Sequence, residues 1–457
     1  MTIRRLLAVG LLALLTLPAV TARIYASDEV EYFAFVRSLT FDRDLSFENE
    51  YQYFHDAGAG GAGFHETFLG DRYTRAGRRL NFGTIGPALL WMPFYLAGHL
   101  VAVGLGEPQD GYSQSYITAV AVGSAVYGWL AILLAASIAQ RWFSRGLASA
   151  VAVLAGTPLV FYMYVAPPYS HACATFAVTF CLWTWLRVRD TWSWSGVVCL
   201  GLTVGLMATM RDQAGLFAIG PAIDFIRWAI ASLRRRSPGE SAGRTIGLIV
   251  AGTAATFVAY APQLFAARAI NGYFGPDESV ANKMSWLSPH ALSVLFDLRY
   301  GWLLWTPLAV LSLVGLIAVA SGHIRTRIED GRWLALCLLA VTVLQIYING
   351  AVESWTVAGS FGQRRFVELT PLLVIGLAAL MSAFPGRGRW LVRAAAAICV
   401  WWNLGLLLQF GTHRMDRQQL TLRDNARQTF VELPIEAPSL AWRYLTNRSS
   451  FYRQPRQ

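Results

Sequence analysis

Three short stretches hold the residue types that group-transfer chemistry needs. Asp28-Glu29 follows an N-terminal apolar run by only a few residues. A carboxylate at a low-dielectric edge is held in fixed geometry and made more basic, which is what a general base requires. Met210-Arg211-Asp212-Gln213 interrupts two apolar runs, and Gly359-Ser360-Phe361-Gly362-Gln363-Arg364-Arg365-Phe366 leads into another. Arginine beside hydrocarbon is costly without an anionic partner. Its planar fork suits a phosphate, which it binds through paired, permanently charged hydrogen bonds. Arg211, Arg364 and Arg365 are therefore candidate phosphate ligands, with pairing to Asp212 or Glu368, or contact with lipid headgroups, as the plainer alternative. Tyr169, His171 and Gln363 are candidate lining residues. A lone His beside Pro167-Pro168 more often has a structural hydrogen bond than a catalytic role.

The elements that position these residues are apolar helices. Of the 457 residues 55% are apolar and 14% charged, and mean hydropathy is +0.42. A soluble domain carries about a quarter charged residues, so a soluble enzyme and a disordered chain are both excluded. The composition predicts an all-α polytopic membrane protein. The net charge is +11 and Lys283 is the only lysine. Basic loops orient membrane proteins, so this charge does not imply nucleic acid. Five cysteines (Cys173, Cys181, Cys199, Cys337, Cys399) fall within apolar stretches and read as packing residues. Ala57–Gly63 lacks the Gly-Lys-Ser/Thr of a phosphate loop and reads as a flexible link.

Twelve apolar stretches reach about the length of a span: 5–22, 83–104, 113–139, 147–165, 170–186, 195–210, 214–231, 245–266, 301–320, 332–349, 366–384 and 390–410. The first has a basic start and small residues near Ala22 and Ala26, as a cleaved signal peptide would, but reads better as a retained span. The short basic loops Gln140–Gly146, Arg187–Asp190, Ser232–Arg244, Gly322–Arg332 and Pro385–Arg389 place their side in the cytoplasm. Strict alternation then leaves 83–104, with Pro87, Pro93 and His99, as a helix in the outer interface. The expectation is about eleven transmembrane helices in a membrane domain over 1–410. Its long extracytoplasmic loops are 23–113, containing the interfacial helix, and 267–300, and the short loops 166–169, 211–213 and 350–365 face the same side. Residues 411–457 are expected to be an extracytoplasmic tail.

These residues, in this order, resemble the GT-C superfamily of membrane glycosyltransferases, in its bacterial mannosyltransferase-like and lipid A glycosyltransferase-like branches and distantly the protein O-mannosyltransferases. The resemblance runs over most of 1–410. It rests on Tyr25-Ala26-Ser27-Asp28-Glu29, Phe82-Gly83-Thr84-Ile85-Gly86-Pro87 leading into Pro93-Phe94-Tyr95, and Gly205–Arg211. Arg299-Tyr300-Gly301 with Thr306-Pro307, and Gly359–Arg365 followed by Pro371, complete it. It implies a GT-C-like fold whose first external loop contains juxtamembrane helices. It also implies inverting sugar transfer from a polyprenyl-phosphate donor to an acceptor hydroxyl on a glycan, lipid or protein, at the outer face of the bacterial inner membrane. Carried over residue by residue, Asp28 is the base, Glu29 the second member of the acidic pair, and Arg211 with Arg364 or Arg365 the phosphate ligands. A divalent metal in the acidic loop is compatible with that chemistry and not required by it. Many relatives have an acidic residue before the fourth span; this chain has Ser170-His171. Two other classes use a similar scaffold. A lipid-linked oligosaccharide polymerase or ligase has less use for an acidic pair after the first span. A transporter would need ionisable residues at the middle of its spans and often internal repeats; no clear repeat is present, and the acid nearest that description, Asp224, lies toward the cytoplasmic end of its run.

Overall fold

The computed structural model describes residues 3–235 and 238–451. Met1 at the basic start, Arg236 in the third basic loop and the end of the tail lie outside the described residues. Those described form helices, with two isolated bridges and no strand. The chain opens with α1 (Ile3–Thr16), α2 (Ser27–Arg37), α3 (Glu48–Asp56), α4 (Gly86–Leu105) and α5 (Gln114–Trp142). Then come α6 (Gly146–Gly156), α7 (Leu159–Tyr164), α8 (His171–Val188), α9 (Trp194–Met210), α10 (Ile219–Arg235) and α11 (Pro238–Asn271). After the short helices α12 (Glu278–Ala281), α13 (Ala291–Phe296) and α14 (Trp302–Trp305) come α15 (Pro307–Ala320), α16 (Gly331–Ala351), α17 (Thr370–Ala383) and α18 (Gly386–Gly411). Two tail helices, α19 (Leu422–Arg427) and α20 (Leu433–Thr446), follow. All eleven stretches read as spans carry helix. Seven helices are long and apolar enough to cross a membrane, and four shorter apolar helices accompany them. Stretch 147–165 is broken at Thr157-Pro158 and stretch 301–320 at Thr306-Pro307, as expected where proline removes an N–H and crowds the preceding turn.

The chain divides into two compact units. One comprises 1–134 and 162–284, the other 135–161 and 285–457. In the first, α9 and α11 meet at glycine. A Cβ on Gly201 would lie 2.3 Å from the Gly252 carbonyl oxygen, and one on Gly205 would lie 2.4 Å from that of Thr256. Small residues four apart are how helices approach closely in lipid, where no hydrophobic force joins them. The Thr256 hydroxyl donates to the Gly201 carbonyl (3.1 Å) and the Thr209 hydroxyl to that of Ala259 (3.0 Å), which fixes the register.

Helix α4 belongs to this unit, and its 20 apolar residues would suffice to cross. Its two ends nevertheless lie against chain segments that the loop-charge argument assigns to one side. Gly86 packs on Thr209 and Met210, and the Thr84 hydroxyl donates to the Met210 carbonyl (2.6 Å). Just past the other end, Glu107 accepts from the Ser113 hydroxyl and the Ser115 N–H, while Gln114 donates to the Ala22 carbonyl. Between these points α4 runs along α2: Phe33 and Phe41 pack edge-on against Tyr95, and Thr40 reaches Met92.

In the second unit α15 and α17 cross just as tightly, with Gly315 against Gly376 and Gly376 against the Ser312 carbonyl. The tail does not hang free. Trp401 in α18 donates to the Thr429 carbonyl (3.0 Å), Gln409 donates to the Thr429 hydroxyl (2.7 Å), and Gly405 makes room for the Thr429 side chain. Residues 425–430 therefore lie along α18 well inside its end. Ile435, Trp442 and Leu445 of α20 remain exposed.

Overpacking of a closed helix crossing costs about 1–3 kcal/mol. Gly205→Val is expected to lower the thermal midpoint of the detergent-solubilised protein by several degrees, whereas Gly104→Ala, with nothing within 4 Å of the new methyl, leaves it unchanged or slightly raised. Equal midpoints for Gly205→Val and the parent would mean that the α9–α11 contact is not closed in solution.

Candidate functional site

The acidic pair opens α2, and its two members do different things. Ala26 is extended (φ −105°, ψ 153°) and the next residue enters the helix. The Glu29 carboxylate folds back over this start, its Oε2 accepting the backbone N–H groups of Tyr25 (2.9 Å) and Ala26 (3.0 Å). This is the acidic half of a capping box. The side chain is completely buried, and Oε1 has no hydrogen-bond partner. Burial, only partly offset by the two N–H groups, pushes the Glu29 carboxyl up to about 8. Glu29 is thus protonated at neutral pH, with its proton placed naturally on Oε1. Asp28, on the adjacent face, is half-buried.

The glycine-rich run holds this start from outside and is not a loose link. Gly60 N–H donates to the Tyr25 carbonyl (2.9 Å), forming a bridge with Ala26. Gly60 has φ +93°, and any Cβ there would fall 2.3 Å from the Phe64 ring. One turn further along α2, Glu31 accepts the Phe82 N–H (2.6 Å) and the Asn81 amide donates to the Glu31 carbonyl (3.1 Å). The segment before α4 is thereby laced to the helix that presents Asp28.

Arg211 meets this region from α9. It is extended (φ −161°) between α9 and the 3-10 turn Asp212–Ala218. Tyr260 donates to Asp212 (2.8 Å) and holds the turn to α11. The Arg211 guanidinium donates to His171 Nδ1 at 2.6 Å. The same guanidinium nitrogen lies 3.3 Å from His171 Nε2, so the two side chains are held against each other. His171 is buried between the rings of Tyr162 (4.4 Å) and Tyr169 (6.0 Å). Beside it, Ser170 donates to the Tyr32 hydroxyl (3.0 Å). Burial raises the pKa of the Tyr32 phenol, the positive charge of Arg211 opposes that rise, and Asp28 and Glu31 reinforce it. Tyr32, one turn after Asp28, is thus tied to Ser170, the residue next to His171, which Arg211 touches. The first unit brings together Asp28, Arg211, Tyr169 and His171, and adds Tyr32 and Ser170. Sequence reasoning passed over Tyr32, although it lies four residues after Asp28 and so on the same helical face.

The second basic motif lies in the second unit. Gln363 is buried and donates to the carbonyls of Tyr300 (2.8 Å) and Trp355 (3.0 Å), a structural tie. The Arg365 guanidinium donates to Ser354 at its carbonyl (3.0 Å) and hydroxyl (2.9 Å), closing the loop before it. Phe366 stacks on Trp302 at 4.3 Å. Arg364 is half-buried at the head of the 3-10 turn Arg364–Leu369. The tail also reaches this loop. Gly359 N–H donates to the Arg417 carbonyl (3.0 Å), and the Tyr300 hydroxyl donates to that of Gln418. Asp224 forms a buried pair with Arg189 (2.9 Å) and accepts from Trp185 Nε1 (2.9 Å). Among the described residues no group of three or more His, Cys, Asp or Glu side chains is gathered as metal ligands would be.

A carboxyl with a raised folded pKa costs folding free energy as it ionises. For Glu29 that cost begins as pH rises above 4.5 and is complete above about 8. Glu29→Gln keeps an oxygen acceptor for both N–H groups and never ionises. Its thermal midpoint should match the parent at about pH 5 and exceed it increasingly toward about pH 8.5. A constant difference across that range would show that Glu29 is charged in the fold.

No family model matches the chain, and no curated protein sequence matches it. Among solved structures the chain is similar to the crystal structure of ArnT from Cupriavidus metallidurans bound to undecaprenyl phosphate. The TM-score is 0.55 at 14% identity, over 99% of this chain and 74% of that one. At that identity the likeness concerns the fold: the chain has the GT-C fold that it shares with ArnT.

Proposed function

We propose that this protein is an inverting glycosyltransferase that moves a sugar from a polyprenyl-phosphate carrier to an acceptor hydroxyl at the outer face of a bacterial inner membrane. The reading rests chiefly on the contacts that link the helix face of Asp28 to Arg211 through Tyr32, Ser170 and His171, in a fold shared with a protein crystallised with undecaprenyl phosphate. Base and anion ligand are then neighbours, as direct displacement at an anomeric carbon requires. The burial of Asp224 against Arg189 and Trp185 supports the enzyme over a transporter, because that acid has a structural pairing.

Asp28 takes the proton of the acceptor hydroxyl as its oxygen forms a bond to the anomeric carbon. The bond from that carbon to the phosphate oxygen breaks on the opposite face, and its electron pair leaves with the polyprenyl phosphate. Arg211, its guanidinium held against His171, stabilises the charge that develops there. Such preorganised electrostatics contribute several kcal/mol to catalysis. Glu29 remains neutral and keeps the start of α2 in place, so Asp28 alone is the base and the expected acidic pair acts as one base and one cap.

The test is consumption of polyprenyl-phosphate sugars by purified protein. Asp28→Asn should lower turnover about 10²–10⁴-fold while donor binding persists. Glu29→Gln should retain turnover within a few-fold; if the two losses are equal, the assignment of the base is wrong. Binding of polyprenyl phosphate without sugar reports on the arginines. Arg211→Ala is expected to weaken it about tenfold or more, about 1.4 kcal/mol per decade. Arg211→Lys should recover only part, since it lacks the fork. Unchanged binding in Arg211→Ala would remove the phosphate from Arg211.

A further inference from the structure

A second site lies a short way along the chain from Asp28. In the first unit, a cleft of about 290 Å³ opens between residues 72–80 and 271–282. Its walls are pinned. Tyr73 and Arg79 pair across a tight turn, the Thr74 hydroxyl donates to the Ile270 carbonyl, and Gly272 sits against Ala76. The volume is at the small end of ligand pockets. Nothing in the proposed chemistry of Asp28 and Arg211 uses it.

The lining indicates the ligand. The formal charges cancel, Arg72 and Arg75 against Asp277 and Glu278, with Arg75 and Glu278 in direct contact. A phosphate site would carry a surplus of cations, so this cleft suits a neutral ligand. The amide of Asn282 and the hydroxyl of Ser279 supply donors and acceptors together. Asn271 is 5% exposed, its Nδ2 donates to the Gly275 carbonyl (2.8 Å), and its Oδ1 has no partner. That oxygen is enclosed by the protein, so Asn271 shapes the wall, and the groups a ligand meets are the exposed Asn282 amide and the Ser279 hydroxyl. Tyr73 and Tyr273 add flat apolar faces. Mixed hydroxyl and amide groups beside aromatic rings are the complement of a sugar ring, polar at its rim and apolar on its C–H faces.

The connection to the base is short. Leu80 lines the cleft, the next two residues bind Glu31, and Glu31 is one helical turn from Asp28. We infer that this cleft is a saccharide-binding subsite that seats the acceptor, so that the acceptor hydroxyl belongs to a glycan. The acceptor role rests on the glycosyltransferase reading; the sugar site does not.

The experiment is ligand-observed NMR saturation transfer from the intact detergent-solubilised protein to methyl glycosides of glucose, mannose, galactose and N-acetylglucosamine, with no donor present. At least one should bind the parent. Asn271→Leu, and separately the exposed Asn282→Ala, should raise its Kd about tenfold or more, while Asp28→Asn binds like the parent. The inference is overturned if no glycoside binds, if both cleft variants bind like the parent, or if Asp28→Asn alone abolishes binding, which would put the sugar at the base. Since no donor is needed, failure of the parent to consume polyprenyl-phosphate sugars would count against the reaction and leave the sugar site standing.

Discussion

The backbone contact between α9 and α11 is what the first unit depends on. Gly201 and Gly205 let α11 come close enough for threonine hydroxyls to reach carbonyls of the facing helix. In lipid such contacts replace the hydrophobic effect as the source of helix association. They fix where α9 ends and hence where Arg211 emerges. The segment before α4 then docks on that end through Gly86 and Thr84, and Glu31 ties the same segment to α2. Asp28 and Arg211 are thus positioned by one continuous set of contacts, although 182 positions separate them in sequence.

Two adjacent carboxyls acquire opposite roles from burial alone. The Glu29 side chain turns into the protein and accepts two backbone N–H groups, and its burial favours the neutral acid, while Asp28 is only half-buried. Folded back as a cap, Glu29 ties down the backbone at 25–26 and so fixes the start of the helix that presents Asp28.

Much of this was legible in the sequence. Each apolar stretch assigned as a span is helical, because a twenty-residue apolar run has few alternatives in lipid. Asp28, Arg211, Tyr169 and His171 are found close together because residues at the ends of spans have only a thin layer to occupy. What sequence did not reveal depends on side-chain direction. Nothing in Asp28-Glu29 tells which carboxyl turns inward. The Gly60 bridge required knowing that position 60 meets Tyr25 with positive φ, so composition alone suggested slack. Gln363 and Arg365 have the right types for ligand binding but donate to neighbouring carbonyls. The tail has the charge of a loop, yet Thr429 lies against Gly405, a pairing that no periodicity displays.

That last contact has a consequence for how the protein is made. Helices leave the ribosome in order, and each span can enter the membrane as it appears. The loop carrying Gln363–Arg365 is different: Gly359 and Tyr300 find their partners only at Arg417 and Gln418, and the segment holding those residues settles on α18 through Asn425 and Thr429. The second basic motif therefore takes its final shape after every span has been synthesised. A nascent chain interrupted near Gly411 would carry all of its membrane helices and an arginine loop still without its clasp.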